Sequence, residues 1–148
     1  MISKKTKYAI IALVRLAREY EKGPILIRDI AEEENIPKKF LETILRDLKN
    51  NGILASKKGK GGGYYLKKDP SEVNMAQIMR IFDGPIAFIP CVTYVYYEPC
   101  EECKDERTCG IRSVFKEVRD ESVRLLKAAT LTEIIRREAE LKATLDSA

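Results

Sequence analysis

Residues 37–66 run Pro37-Lys38-Lys39-Phe40-Leu41-Glu42-Thr43-Ile44-Leu45-Arg46-Asp47-Leu48-Lys49-Asn50-Asn51-Gly52-Ile53-Leu54-Ala55-Ser56-Lys57-Lys58-Gly59-Lys60-Gly61-Gly62-Gly63-Tyr64-Tyr65-Leu66. The apolar period changes inside this stretch. Phe40/Leu41, Ile44/Leu45 and Leu48 recur at helical spacing, and Pro37 suits the first position of such a helix. Gly52 supplies the left-handed residue that ends it. Then Ile53–Ser56 and Tyr64–Leu66 read as two short strands around a basic, glycine-rich tip, a β-hairpin.

Working outward, Ser3 can cap a helix reaching about Tyr20, with Ile10, Leu13, Val14 and Ala17 on one face; Gly23-Pro24 ends it. A short helix near Arg28–Glu34 buries Ile30 and Ala31, and Asn35-Ile36 turns the chain into the helix from Pro37. Two short helices joined by a tight turn form a helix-turn-helix. After the hairpin, Asn74 can cap a helix with Met75, Ile78, Met79 and Phe82 inward, stopped by Gly84-Pro85. A loop with three prolines and three cysteines follows over residues 83–108. A long helix from about Cys109 to Ala129 carries Ile111, Val114, Phe115, Val118, Leu125 and Leu126. Thr130 and Glu133 form a capping box for a last helix with Leu131, Ile134, Ile135 and Leu141 inward. Three segments are expected: 1–82 for nucleic-acid binding, 83–108 as a cysteine loop, and 109–148 as the C-terminal helices.

The chain has 148 residues, four cysteines and no histidine. Lacking histidine, it cannot build a Ser-His-Asp or Cys-His mechanism or a His-ligated metal site. No apolar run approaches the roughly 20 residues of a membrane span, so no membrane partner is expected. The net charge of +4 is uneven: residues 1–70 carry +7 and residues 71–148 carry −3. Within residues 37–68 nine basic side chains face two acidic ones. Such a bias suits a polyanion partner, though a lysine-rich solvated face would look the same by charge alone.

The order of turn, polar helix face and basic hairpin favours DNA. A recognition helix keeps one apolar face and offers polar side chains to base edges. Off the apolar stripe stand Lys38, Lys39, Glu42, Thr43, Arg46 and Lys49. Glu can accept from cytosine N4, Thr can pack on the thymine methyl, and Lys or Arg can reach guanine or phosphate. In the hairpin, glycines allow close backbone approach while Lys57, Lys58 and Lys60 supply charge. The expected DNA-binding set is Arg28, Lys38, Lys39, Glu42, Thr43, Arg46, Lys57, Lys58, Lys60, Gly62 and Tyr64. A phosphate-binding glycine loop is disfavoured, because the run lacks the Lys-Ser/Thr ending and lies between strands.

Cys91, Cys100, Cys103 and Cys109 all fall in the loop or at the start of the next helix. Four thiols without a disulfide-dense scaffold point to a reducing compartment and a metal or redox role. Tetrahedral thiolate geometry suits zinc and an iron–sulfur cluster alike. A thiol oxidoreductase using Cys100 and Cys103 is disfavoured, because no βαβ pattern surrounds the pair. The chain is therefore expected not to be an enzyme.

At this point the sequence resembles a known family. Tyr8-Ala9, Asp29-Ile30-Ala31-Glu32, Ile36-Pro37, Phe40-Leu41-Glu42, Asn51-Gly52-Ile53-Leu54 and the Gly59–Leu66 hairpin are similar to the Rrf-two superfamily of bacterial winged-helix regulators, with its IscR, NsrR, RirA and CymR types. The resemblance implies a mainly α fold, a winged helix-turn-helix with a small β-hairpin wing and a long C-terminal dimerisation helix. It also implies a cytoplasmic bacterial homodimer that reads an inverted-repeat operator in double-stranded DNA. Lys39, Glu42, Thr43 and Lys58 match positions that contact bases in IscR-like members. Thr43 stands where a Gln is common and Lys58 where an Arg is usual, which puts the operator sequence in doubt.

Cluster-binding relatives have three cysteines in this loop, and Cys91, Cys103 and Cys109 match them by position. In relatives the fourth ligand can be a His or an acidic N-terminal residue, and neither occurs before Tyr8 here. The expectation is that Cys100 completes an all-cysteine set around an iron–sulfur cluster of [2Fe–2S] or [4Fe–4S] type. Structural zinc, a thiol/disulfide switch and a nucleic-acid-binding adaptor without a regulatory role are the alternatives.

Overall fold

Ser3 opens helix α1 (Lys4–Arg18) by accepting a hydrogen bond from the Thr6 amide at 3.1 Å, as a helix cap should. The computed structural model describes all 148 residues and holds six α-helices with one antiparallel hairpin. Helices α2 (Ile27–Glu33) and α3 (Lys38–Asn50) follow, then strands β1 (Leu54–Lys57) and β2 (Gly63–Leu66). Helices α4 (Met75–Phe82), α5 (Gly110–Ala128) and α6 (Leu131–Asp146) complete the chain. Pro37 lies one residue earlier in the third helix than expected. It is the N-cap, and its carbonyl accepts the first helical bond from Leu41 at 3.0 Å.

One apolar core joins α1, α2, α3, the hairpin, α4 and the first turn of α6. Leu13, Leu16, Ile30, Leu41, Ile44, Leu45, Leu48, Ile78 and Leu131 are all buried in it. The apolar stripe of α3 supplies four of these, so the helix has one way to lie and its polar face is fixed outward. Phe40 is a correction to that stripe. It stays partly exposed at the edge of the core, where its ring meets Tyr8 edge-on at 5.6 Å. Met79 and Phe82 on α4 are likewise half-buried rather than internal.

The strands pair Leu54 with Leu66 and Lys57 with Gly63. A third short strand segment joins them, because Ile25 and Tyr64 exchange two backbone hydrogen bonds of 2.8 Å. That bridge passes so close to Gly63 that a Cβ there would meet the Ile25 carbonyl oxygen at 2.2 Å, and its φ is +139°. Only glycine satisfies both conditions.

Helix α5 has two faces that the sequence pattern runs together. Phe115, Val123 and Leu126 turn inward and are half-buried, whereas Ile111, Val114, Val118 and Leu125 are exposed. At the start of α6, Thr130 accepts from the Glu133 amide at 3.1 Å. The expected capping box is half-formed. Glu133 turns away to Arg136 and Arg137 instead of returning to the Thr130 amide.

Candidate DNA interface and cysteine pocket

The turn from α2 to α3 and the hairpin meet along one side of the molecule. Arg28, Lys38, Glu42, Lys57, Lys58 and Tyr64 line a single groove of about 470 Å³ between α3 and the wing. Lys39, Thr43 and Arg46 lie on the exposed face of α3, and Lys60 stands at the wing tip. Thr43 donates its hydroxyl to the Lys39 carbonyl at 3.5 Å. Lys49 is drawn into the fold rather than left free: it donates to the Ser56 hydroxyl at 2.7 Å and ties α3 to β1.

The ion pairs of this region are Lys5–Asp47 at 3.0 Å and Arg28–Asp29 at 3.7 Å. Lys38, Lys39, Arg46, Lys57, Lys58 and Lys60 therefore carry uncompensated charge, the arrangement that phosphate binding requires. Gly62 is enclosed by the wing itself. Its amide donates to the Gly59 carbonyl at 3.0 Å, and a Cβ would meet the Lys57 carbonyl oxygen at 2.3 Å.

The four cysteines are free thiols. Cys91 is buried in a short 3-10 turn, Pro90–Val92; Cys103 and Cys109 are half-buried and Cys100 is exposed. All four line one pocket of about 360 Å³. Cys109 is also the N-cap of α5, and its sulfur accepts from the Arg112 amide at 3.4 Å. The Cys100 thiol donates to the Glu102 carboxylate at 3.0 Å, which pushes the thiol's pKa up and the carboxyl's down. No three Cys, Asp or Glu side chains stand close enough to hold a metal ion as arranged. Four free thiols around one pocket nonetheless form a donor set that suits zinc or an iron–sulfur cluster, once the loop draws them together.

Arg119 of α5 connects this pocket to the rest of the molecule. Its guanidinium is 6% exposed, lies 4.1 Å from the centre of the Tyr94 ring, and donates to the Val92 carbonyl. It also donates to the Tyr94 hydroxyl at 2.9 Å and to Asp120 at 2.6 Å, holding the Asp120 carboxyl below its ordinary pKa. The sequence gave no cue to Arg119 beyond its place four residues after Phe115 on the inward face of α5. Tyr94 and Tyr96, expected to pack, are largely exposed in the protomer, and Tyr97 is partly so.

The comparisons agree with this geometry. A family described as iron-dependent transcriptional regulators, Rrf2, matches residues 2–137. An rrf2-like HTH-type transcriptional regulator of Rhodobacter capsulatus is 42% identical over 138 residues, covering 91% of this chain and 92% of that protein. The HTH-type transcriptional regulator IscR of Photorhabdus laumondii is 27% identical, covering 95% of this chain and 82% of that one. The solved structure of CymR, the global cysteine regulator of Bacillus subtilis, superposes with a TM-score of 0.75 at 27% identity, over 90% of this chain and 95% of that one. The turn, wing and long helix are thus shared with DNA-binding regulators and not with enzymes, and the chain belongs to the Rrf2 family of winged helix-turn-helix transcriptional regulators.

Proposed function

We propose that this chain acts as a bacterial, cytoplasmic homodimer that reads an inverted-repeat operator and is controlled by an iron–sulfur cluster held by ligands drawn from Cys91, Cys100, Cys103 and Cys109. The observation that carries the reading is the position of the cysteine pocket. It opens at the N-terminus of α5, the helix whose outer face leaves Ile111, Val114, Val118 and Leu125 without a partner inside the protomer. These four residues repeat at steps of three, four and seven, the spacing of a helix–helix seam.

In the dimer, Lys39, Glu42, Thr43 and Arg46 on α3 read base edges, and Lys57, Lys58 and Lys60 hold phosphates beside them. A cluster in the pocket would supply a centre that oxygen, nitric oxide or iron shortage destroys. Cys91 adjoins Val92, whose carbonyl is held by Arg119 of α5. A change of ligation at Cys91 is therefore passed directly to the helix that spaces the two α3 helices.

Selection of a preferred duplex, followed by binding assays on reconstituted and apo protein, tests the proposal. Cluster loss is expected to change operator affinity by ~5–150-fold. Equal affinities would remove the switch and leave the DNA binding intact. Lys60→Ala is expected to weaken all sequences alike and lower the salt slope by ~1.

A second reading, a thiol/disulfide switch or structural zinc without a cluster, is favoured by the spread of the four thiols, which are free and not gathered. Iron, acid-labile sulfide and zinc assays on anaerobically purified protein separate the two.

A further inference from the structure

Two buried side-chain polar atoms in the molecule have no hydrogen-bond partner: Oε1 of Glu106 and Nε of Arg112. Both residues line the pocket that holds the four thiols. Buried polar groups are almost always satisfied, and an exception marks a site that something else fills. The two atoms make opposite demands. The arginine N–H requires an electron-rich acceptor, and the carboxylate oxygen requires a cation or a donor. A disulfide offers neither a cation nor a strong acceptor, and a small anion meets only the first demand. A metal ion bound by thiolates meets both at once.

We infer that Glu106 and Arg112 belong to the cysteine centre, Glu106 as an oxygen ligand beside Cys91, Cys103 and Cys109, and Arg112 as a hydrogen-bond donor to a ligating sulfur. This rests on the metal-centre reading above and says which residues complete it. Cys100 is the thiol least committed to the pocket, since it is exposed and already donates to Glu102. Arg112 is placed by its own helix: its amide donates to the Cys109 sulfur, so α5 presents the backbone and side chain of one residue to the same thiol. Binding is a coordination step. Each ligating thiol gives its proton to solvent, the carboxylate binds through oxygen, and no electrons are transferred.

Wild type, Glu106→Gln, Arg112→Met, Arg112→Lys, Cys100→Ala and Glu117→Gln are to be loaded anaerobically with ferrous iron and sulfide, and separately with zinc alone. Metal content, release to a chelator, absorbance and X-ray absorption at the metal edge are read, with thermal melting of the apo forms. Glu106→Gln is expected to lose the oxygen scatterer from the metal shell. Glu106→Gln and Arg112→Met should weaken metal retention by ~10–100-fold. Arg112→Lys should recover part of that loss, and Cys100→Ala and Glu117→Gln should match wild type.

Without metal, Glu106→Gln and Arg112→Met are expected to melt no lower than wild type, because neither group has a partner to lose. A purely structural role would lower both the apo melting temperature and retention, and would overturn the assignment. Wild-type retention and an unchanged metal spectrum in Glu106→Gln and Arg112→Met, with Cys100→Ala failing to load, would also overturn it while leaving the metal centre standing. Failure of the wild type to take up any metal would remove both readings.

Discussion

The unit that carries α3 and the wing and the segment 83–109 that carries the cysteines are held in place by different physics. Around α3, Leu41, Ile44, Leu45 and Leu48 are fully buried against α1 and α2, and burial of each contributes about 1.5–3 kcal/mol. Between Asp83 and Cys109 only Cys91 and Val92 are buried, and what holds them to α5 is chiefly the polar clamp of Arg119. Close-packed apolar cores have one arrangement, whereas polar clamps can be exchanged for others. The first region can therefore keep a reading head in register while the second changes state. Even their junction is polar. Burial pushes the Asp83 carboxyl pKa up, but hydrogen bonds from the Ser3 amide at 3.1 Å and the Thr6 hydroxyl at 2.7 Å outweigh it and hold the pKa below its ordinary value.

The largest effect is expected in the core. Leu45→Ala should cost about 2–5 kcal/mol in urea or thermal unfolding, through lost burial and the cavity left behind. A cost below about 1 kcal/mol would mean that α3 is not locked by its apolar face, and the contrast between the regions would collapse. Gly63→Ala comes next, at about 1–3 kcal/mol, since it forces a Cβ against the Ile25 carbonyl at a φ that L-residues avoid. Its wing should shift relative to α3, so DNA affinity falls further than stability does. Equal losses would show that the wing contributes nothing to binding beyond its part in folding.

Arg119→Met probes the other region. It removes charged hydrogen bonds worth about 1.5–3 kcal/mol each to the local fold. Faster hydrogen exchange is expected at the amides of residues 92–95, with little change in the unfolding of the core. A drop in global stability as large as that of Leu45→Ala would make the cysteine segment part of the same cooperative unit, and the proposed division of labour would fail.

This division also explains which features can be read from the chain. Helix α3, its cap, the hairpin and Asn74 follow from local rules: apolar spacing, a left-handed glycine and a side-chain cap. Phe40 departs from them because Tyr8 is 32 positions away in sequence and leaves it at an edge. The two faces of α5 cannot be separated by periodicity, since both are apolar; only packing against α4 and the 90–92 turn decides which is inward. The gathering of Arg28, Lys38, Glu42, Lys57, Lys58 and Tyr64 into one groove was legible as a list of residues, but not as a surface. Arg119, Glu106 and Arg112 were illegible altogether. A charged residue in a polar stretch gives no sign of burial, and their environments are made by chain segments that share no local pattern.

The smallest effect tests how α6 is fastened to the core through Leu131. Hydrogen bonds from Arg136 and Arg137 hold the Glu133 carboxyl at about 2, down from 4.5. Because the folded pKa is depressed, its stabilisation is present above the unfolded value near 4.5 and is lost as pH falls toward about 2. Melting temperature should therefore decline through that window by a small amount, since the three side chains are solvent-facing and screened. Glu133→Gln should remove its share of the slope, lower the neutral-pH value slightly, and converge on wild type in acid. Added salt should shrink the difference between the two proteins. If the two acid limbs run parallel, the Thr130 cap and the burial of Leu131 fasten this helix without the ion pairs. The C-terminal return would then belong with the apolar half of the molecule, and the cysteine segment would be the one polar joint in the chain.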